Sequence, residues 1–587
     1  MVGIIADEVK FFKKDKSTPK KLPTNPNADI NSSTESIGVS KIKAYLPNYG
    51  KSWIKVPHLL RLNLILLIVS LTSTNTGYDG SLLNAFQSIP DWVHAMGNPT
   101  GAVLGAIANG VVFGCALGFP VAPWISDRLG RRHAITVGNA IMIVGALIQS
   151  VSGTWLTVEG ESREGFTEKR AYAMFLIARI ILGFGNTIAI ISSPPLISEL
   201  TYPSHRQPMT AFFNSNWYLG AIIAAWVSYG TRHVKHNWSW RIPSIFQGFF
   251  PILQISLIYL VPESPRYLIS KGRFEEARAI LLKHHAGGDE VVGGPLVDFE
   301  MSEIELALEQ ERIANDSSYA DFLKTPGNRK RLFLVIFIGL VMQLSGNGLV
   351  SYYLNLVLKS IGVESTDEQL VFNGGLMIYN YAISIAINLL VFQNIRRRLT
   401  IITAFSLMLT FYVIWTILSA INQQRNFEDT SLGKGVMAMI FLYYFAYNLG
   451  LNGLPFLYVT EITPFILRTR AVNIMFCVQQ ITLIYNGFVN PIAMDAIKWR
   501  YYIVYCVLLF IELIVAYLTI VETSGRSLEE VAEVFGEGID DFKLSVTTNN
   551  KKDGHVSHVE QVDTRDGSVS GPSSTSDKNN IVRVEQV

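Results

Sequence analysis

Stretches of about 20 mostly apolar residues recur twelve times along the chain, each long enough for a helix rising 1.5 Å per residue to cross a hydrocarbon layer about 30 Å thick. They lie near 59–81, 101–124, 134–152, 171–194, 209–229, 242–261, 331–353, 372–392, 400–420, 435–459, 470–493 and 499–521. The pattern predicts an all-α membrane protein of twelve transmembrane helices. Its longest interruption, roughly 262–330, carries Glu275-Glu-Ala-Arg278 and a helical run from Glu303 to Arg312, and reads as a small amphipathic linker domain. The expected organisation is a tail over 1–57, a six-helix block over 58–261, the linker over 262–330, a second block over 331–522 and a tail over 523–587.

Composition points the same way. Of 587 residues 49% are AVILMFWYC and 16% charged, with mean hydropathy +0.28; a soluble surface needs about a quarter charged. Residues 1–55 carry ten lysines against five acids, and the chain after about Lys543 has no Phe, Trp or Tyr. Neither tail buries enough apolar area to offset chain entropy, so both are expected to be disordered. No cleavable signal peptide is expected, because the first apolar segment follows about 57 polar residues. Cys115, Cys477 and Cys506 all fall in apolar stretches and read as core residues.

Lys and Arg near span ends resist translocation. The Lys-rich N-terminus, Arg128, Arg131 and Arg132, the linker, Arg396 to Arg398, Arg468 and Arg470 all fall on one side of the twelve crossings, whereas the 82–100 loop opposite has no Lys or Arg. Both termini are therefore expected in the cytosol. The sequon Asn237-Trp-Ser239 lies outside, in a loop so short that it is expected to stay unmodified.

Three polar signatures recur in both blocks. Ser126-Asp-Arg-Leu-Gly-Arg-Arg132 is matched by Gln393-Asn-Ile-Arg-Arg-Arg398, Ser198-Glu-Leu-Thr-Tyr-Pro-Ser-His-Arg206 by Thr460-Glu-Ile-Thr-Pro-Phe-Ile-Leu-Arg-Thr-Arg470, and Pro262-Glu-Ser-Pro-Arg266 by Glu522-Thr-Ser-Gly-Arg526. The spacings Asp127 to Gln393, Glu199 to Glu461 and Glu263 to Glu522 are 266, 262 and 259 residues. A duplicated six-helix unit is the architecture in which two halves rock about a midplane site, which is an alternating-access carrier.

At these residues the chain resembles the sugar porter family of the major facilitator superfamily, over about 55–540. The resemblance rests on Asp127–Arg132, Pro262-Glu-Ser-Pro-Arg-Tyr-Leu268, Glu461-x-x-Pro-x-x-x-Arg468 and Val521-Glu-Thr-Ser-Gly-Arg-Ser-Leu-Glu-Glu530. Gly77-Tyr-Asp-Gly-Ser-Leu82, Asn216-Trp-Tyr-Leu-Gly220 and the run Gln343 to Tyr353 look like the fungal lactose permease and cellodextrin permease branch. The resemblance implies a multi-pass cell-membrane transporter, acting as a monomer, that takes up a disaccharide such as lactose or cellobiose with protons. A hexose or pentose uniporter and a non-transporting sugar sensor are the alternatives. Met342 and Gly348 stand where the family has Gln and Asn, and Phe456 where it has Trp, changes that shrink or depolarise the site and suit a larger sugar.

Chemistry narrows the candidates. Asp127, Arg131, Arg132, Glu199, Arg206, Glu263 and Arg266 can pair across span ends when an inner gate shuts. In the second block Gln393 and Arg396 replace the usual acid and glycine, so that gate is expected to be lopsided and carried by Glu461, Arg468 and Arg470. Inside the spans charges are scarce and costly. Asp79 and Arg179 are placed where they can meet, as a proton-coupling pair or a static ion pair, while Glu512 is expected to have a structural partner. A sugar needs amides that both donate and accept, and aromatic faces; the candidates are Asn214, Asn216, Trp217, Gln343, Asn347, Tyr352, Tyr353, Asn380, Asn452, Phe456 and Asn486, with Asn448 and Asn490 among further amides.

Gly110, Gly114 and Gly118 form a packing ridge, and Pro194-Pro195 and Pro455 are expected to break or kink their helices. No metal-ligand cluster, nucleophile triad or phosphate-binding glycine loop stands out, His284-His285 reads as a solvated pair, and neither enzyme chemistry, a cofactor, a metal nor nucleic-acid binding is expected.

Overall fold

The structure, a computed structural model, describes residues 46–47, 53–152, 164–235, 237–315, 318–390, 396–524, 531 and 534–535. Gln393, Arg526 and most of both polar tails lie outside the described residues. The rest is helical, with no strand among the described residues.

Span 1 is Pro57–Phe86, span 2 Gly101–Gly118 continued by Val121–Leu129, span 3 Arg131–Ser150, span 4 Glu164–Leu200, span 5 Arg206–Thr231, and span 6 Trp238–Phe246 with Phe249–Leu257. The linker follows as helices Pro265–Ser270, Phe274–His285 and Glu290–Asn315. Span 7 is Pro326–Leu344 with Asn347–Lys359, span 8 Thr366–Leu390, span 9 Arg397–Gln424, span 10 Thr430–Gly450 with Leu454–Ile462, span 11 Phe465–Ile497 and span 12 Tyr501–Thr519. An odd number of crossings separates each span start from its end, so the ends of spans 2, 4 and 6 and the linker share one face, the linker face; the opposite side is the far face.

Glycine decides how closely the helices approach. A Cβ at Gly114 would sit 2.0 Å from the Ile180 carbonyl oxygen, and one at Gly110 2.9 Å from Cβ of Arg179, so the ridge of span 2 is what lets span 4 close on it. Spans 1 and 5 touch backbone to backbone: a Cβ at Gly77 or Gly220 would lie 1.8 Å from the carbonyl oxygen of Trp217 or Thr74.

Breaks fall where the sequence supplies them, with one exception. Span 7 is interrupted at Gly346, whose φ of +99° is open to glycine and whose Cβ would meet the Tyr412 ring at 2.7 Å. Span 10 breaks ahead of Pro455, which occupies the first turn of Leu454–Ile462, where a missing N–H costs nothing. Pro194-Pro195, in contrast, leaves span 4 continuous to Leu200.

The halves meet on the far face. There Arg232 pairs with Asp367, Gln87 Nε2 donates to the Tyr352 carbonyl at 2.8 Å, Asn355 Nδ2 to the Gln87 carbonyl at 3.1 Å, and Thr366 to the Ser88 carbonyl at 3.0 Å. Nearer the middle Asn109 Nδ2 donates to the Ile484 carbonyl and Tyr218 to Asn448 Oδ1, both at 3.1 Å. The innermost polar contact between halves is Ser215 with Ser384, 3.2 Å apart. Among the described residues no hydrogen bond or ion pair joins the halves closer to the linker face.

Candidate functional site

Two clusters of charge lie at the span ends of the linker face. In the first half, Glu263 leaves the end of span 6 and caps the start of span 3: its carboxylate accepts from the backbone amides of Arg131 at 3.1 Å and Arg132 at 3.2 Å. Such amides have no intrahelical partner and carry the positive end of the helix dipole, so a carboxylate is favoured there. Gly130 makes the cap possible, with φ +96° and ψ 161° and with Glu263 Oε2 2.6 Å from where a Cβ would sit. Arg131 then pairs with Asp127 at 2.8 Å and faces Glu199 at 3.8 Å, and Ser264 donates to Glu199.

The second half repeats this arrangement with different residues. Glu522 accepts from the amides of Arg397 at 2.9 Å and Arg398 at 3.2 Å; Arg397 faces Glu461 at 3.5 Å; Thr523 donates to Glu461 at 2.5 Å. The arginine at Glu461 is thus Arg397, whereas Arg470 lies over the Tyr319 ring at 5.5 Å. Arg206 and Arg266 turn to the linker, to Glu300 at 3.5 Å and Glu311 at 2.6 Å. Among the described residues, these motif pairs lie within a half or with the linker. Burial of helix-end amides, which pure charge counting ignores, is what selects these partners.

Asp79 and Arg179 come within electrostatic reach but form no direct hydrogen bond. Gln247 of span 6 donates to Asp79 Oδ1 and is itself held by Gln149 Nε2 at 3.0 Å. Asp79 Oδ2 and Arg179 Nε and Nη1 are buried without a hydrogen-bond partner. The sequence reading missed Gln149 and Gln247; their amide-in-span character was the available signal. Glu512, expected to be partnered, is buried with Oε2 unbonded.

The candidate sugar ligands separate into three groups. In the first, Asn347 Nδ2 donates to Tyr447 at 3.1 Å and Asn347 Oδ1 accepts from Ser351 at 2.9 Å. In the second, Asn448 joins three spans: Nδ2 donates to Asn380 Oδ1 at 3.1 Å, while Oδ1 accepts from Asn452 at 2.8 Å and from Tyr218. In the third, Asn486 Nδ2 donates to the Gln343 carbonyl at 2.6 Å. Trp217 lays its ring on Gly80 of span 1.

Others are placed differently. Tyr353 donates to the Gly487 carbonyl at 2.5 Å, which marks it as a brace between spans 7 and 11. Tyr352 holds span 1 through its carbonyl, with its hydroxyl in the electrostatic neighbourhood of Arg179. Asn214 and Phe456 are exposed, Phe456 by 51%. Asn490 accepts from Tyr501 and Tyr505 and is structurally committed.

Besides Asn490 Nδ2, four amide atoms of these candidates remain buried and unbonded: Gln343 Oε1, Asn486 Oδ1, Asn216 Oδ1 and Asn380 Nδ2. Each idle buried polar atom costs about 1–3 kcal/mol. Three acceptors and one donor without charge form a set that hydroxyl groups satisfy.

Twelve membrane-crossing helices in two matching blocks that meet on the far face have the architecture of the major facilitator fold. The comparisons agree: the model of the family described as sugar (and other) transporter matches residues 65–535. The MFS-type transporter oryC of Aspergillus oryzae is 31% identical over 427 residues, 72% of this chain and 75% of that protein. The low-affinity glucose transporter HXT1 of Saccharomyces cerevisiae is 25% identical over 477 residues, 79% of this chain and 80% of its own. Among solved structures, the inward open xylose transporter XylE from E. coli superposes with a TM-score of 0.64 at 20% identity, covering 81% of this chain and 99% of that one. The chain belongs to the sugar transporter family. It is a multi-pass membrane transporter and not an enzyme.

Proposed function

We propose that the protein takes up a neutral sugar across the cell membrane by alternating access, coupled to protons, with the linker face and both termini in the cytosol. The observation that carries the sugar is the idle amide set of Gln343, Asn486, Asn216 and Asn380, with the Trp217 ring on Gly80 of span 1 as the stacking face. Amides pair with hydroxyls in either sense, and an indole face accepts the apolar side of a pyranose. The cytosolic assignment rests on the lysines and arginines of the linker face.

Proton coupling rests on Asp79. In the far-closed arrangement its carboxylate is held by Gln247 and stands apart from Arg179, whose two idle nitrogens await a partner. A proton on Asp79 cancels its attraction for Arg179, so spans 1 and 4 gain freedom to shift only when the proton is aboard. Met342 and Gly348, apolar or small where amides are usual, favour a disaccharide such as lactose or cellobiose. The second reading, a hexose or pentose uniporter, draws for the hexose on the name of the yeast glucose transporter and for the pentose on that of the xylose transporter.

The test is uptake of labelled lactose, cellobiose, maltose, glucose, galactose and xylose in transporter-free cells, with and without a protonophore. Disaccharide accumulation abolished by the protonophore is expected. Asp79→Asn should retain exchange and lose accumulation; sugar-driven alkalinisation of the medium surviving in that variant would sink the coupling proposal. Absence of uptake for every sugar would point to a sensor.

A further inference from the structure

A buried acid–base contact joins the linker to the first half. His285 closes linker helix Phe274–His285, and Glu300 lies in Glu290–Asn315; they are 1% and 2% exposed, so the histidine pair is not solvated. His285 Nδ1 lies 2.7 Å from Glu300 Oε2, and His285 Nε2 lies 3.0 Å from the carbonyl oxygen of Leu200. Leu200 is the last residue of span 4, where carbonyls lack intrahelical partners.

These contacts dictate a proton count. A carbonyl only accepts, so Nε2 carries hydrogen. A neutral imidazole then presents a bare lone pair at Nδ1, and a carboxylate oxygen presents another; a separation of 2.7 Å requires a proton between them. The dyad holds it as imidazolium with carboxylate or as imidazole with carboxylic acid. Arg206 Nη2, 3.5 Å from the other oxygen of Glu300, favours the carboxylate, and the negative end of span 4 favours the imidazolium.

The other groups around the dyad come from four elements. His58 and Arg61 start span 1, with Gly287 packed on the His58 ring. Tyr202, between spans 4 and 5, meets the His285 ring edge-on at 5.6 Å and also touches His205. Lys283 and His284 share the helix of His285, and Glu303 follows Glu300. His284 stays uncharged at neutral pH, because burial, helped by Lys283 and the neighbouring histidines, lowers it from the usual 6.5 to about 4.

We infer that His285 and Glu300 form a proton-binding site outside the transport path, which docks the linker on the end of span 4 while the proton is present and frees it when the proton leaves. Glu199 of the gate precedes Leu200 in the chain, so the dyad reports the proton concentration of the linker face to the gate. The inference does not depend on which sugar is carried.

Hydrogen exchange of residues 274–315 in the full-length purified protein, followed from mildly acidic to alkaline pH and corrected for intrinsic exchange, tests this. A hydrogen bond to a charged group is worth about 1.5–3 kcal/mol, so protection should fall at least roughly tenfold at alkaline pH. Glu300→Gln supplies an amide donor to a neutral Nδ1 and needs no extra proton; its alkaline loss should vanish. Arg206→Gln, which also removes the Glu300 contact with Arg206, should keep it.

The acid side serves as an internal reference. His284 is lowered in the docked state, so docking weakens as pH falls from 6.5 towards about 4, in wild type and Glu300→Gln alike. Unchanged wild-type protection on the alkaline side, or the same alkaline loss in Glu300→Gln, overturns the proposal. If Glu300→Gln does not fold, nitrogen NMR of histidine-labelled wild type decides: a neutral His285 beside an ionised Glu300 at neutral pH refutes it.

Discussion

The two charge clusters of the linker face, proposed as the gate, look unlike in sequence and alike in space. The first has Asp127, Gly130, Arg131, Glu199, Glu263 and Ser264; the second has Arg396 in place of the glycine and Arg397, Glu461, Glu522 and Thr523 in the remaining described places. In each, a glutamate after the last span of the half caps the start of the third, and the arginine beside that cap reaches the glutamate ending the fourth. What the duplication preserved is the cap. The turn ahead of it was solved twice, at φ +96° by Gly130 and at φ −62° by Arg396. The second half kept the bonds while losing the left-handed turn, which shows that the turn is a means and the carboxylate cap the end.

That contrast breaks most sharply at the turn. Gly130→Ala enters a backbone region that only glycine adopts readily, at about 1–3 kcal/mol, and pushes Glu263 aside; Arg396→Ala should change almost nothing. Melting of the purified protein should separate the two by several degrees, and equal melting temperatures would remove the distinction drawn here.

The caps come next. Glu263→Ala and Glu522→Ala each strip an N-terminal acceptor, at about 0.5–2 kcal/mol. Comparable losses of uptake Vmax, roughly twofold to thirtyfold at that cost, are expected from both, since each glutamate meets two amides. A lopsided gate would spare Glu522.

Smaller effects follow from the arginines. Arg131→Gln loses the contact to Glu199 and Arg397→Gln the contact to Glu461; at about 0.2–1 kcal/mol per pair, each should lower uptake by about fivefold or less. Smallest of all, Asp127→Asn touches a side chain 72% exposed and should shift uptake by less than about twofold, the weak end of surface pairs. A large effect there would give the first half a function the second lacks.

The crossings and their duplication were legible because a bilayer demands about 20 apolar residues of each spanning helix, and apolar runs display it. Less legible was everything that depends on which polar atom meets which. Charge spacing suggested pairs across span ends and gave the second gate to Glu461, Arg468 and Arg470, yet Glu263 and Glu522 go to backbone amides and Arg397 faces Glu461. Asp79 and Arg179 were found because intramembrane charge is rare, while Gln247, one amide among many, was passed over although it holds the Asp79 carboxylate. The break of span 7 at Gly346 left no apolar signature, since glycine interrupts a helix without interrupting hydropathy.

The contact of Gly77 and Gly220 has a consequence for anyone reshaping this carrier. Trp217, the indole proposed to meet the sugar, hangs from a strip of span 5 whose carbonyl oxygen presses on Gly77. Its side chain is adjustable and its anchor is not. A library that randomises Trp217 explores specificity, whereas alleles at either glycine, even to alanine, should be recovered as missing protein rather than as altered diet.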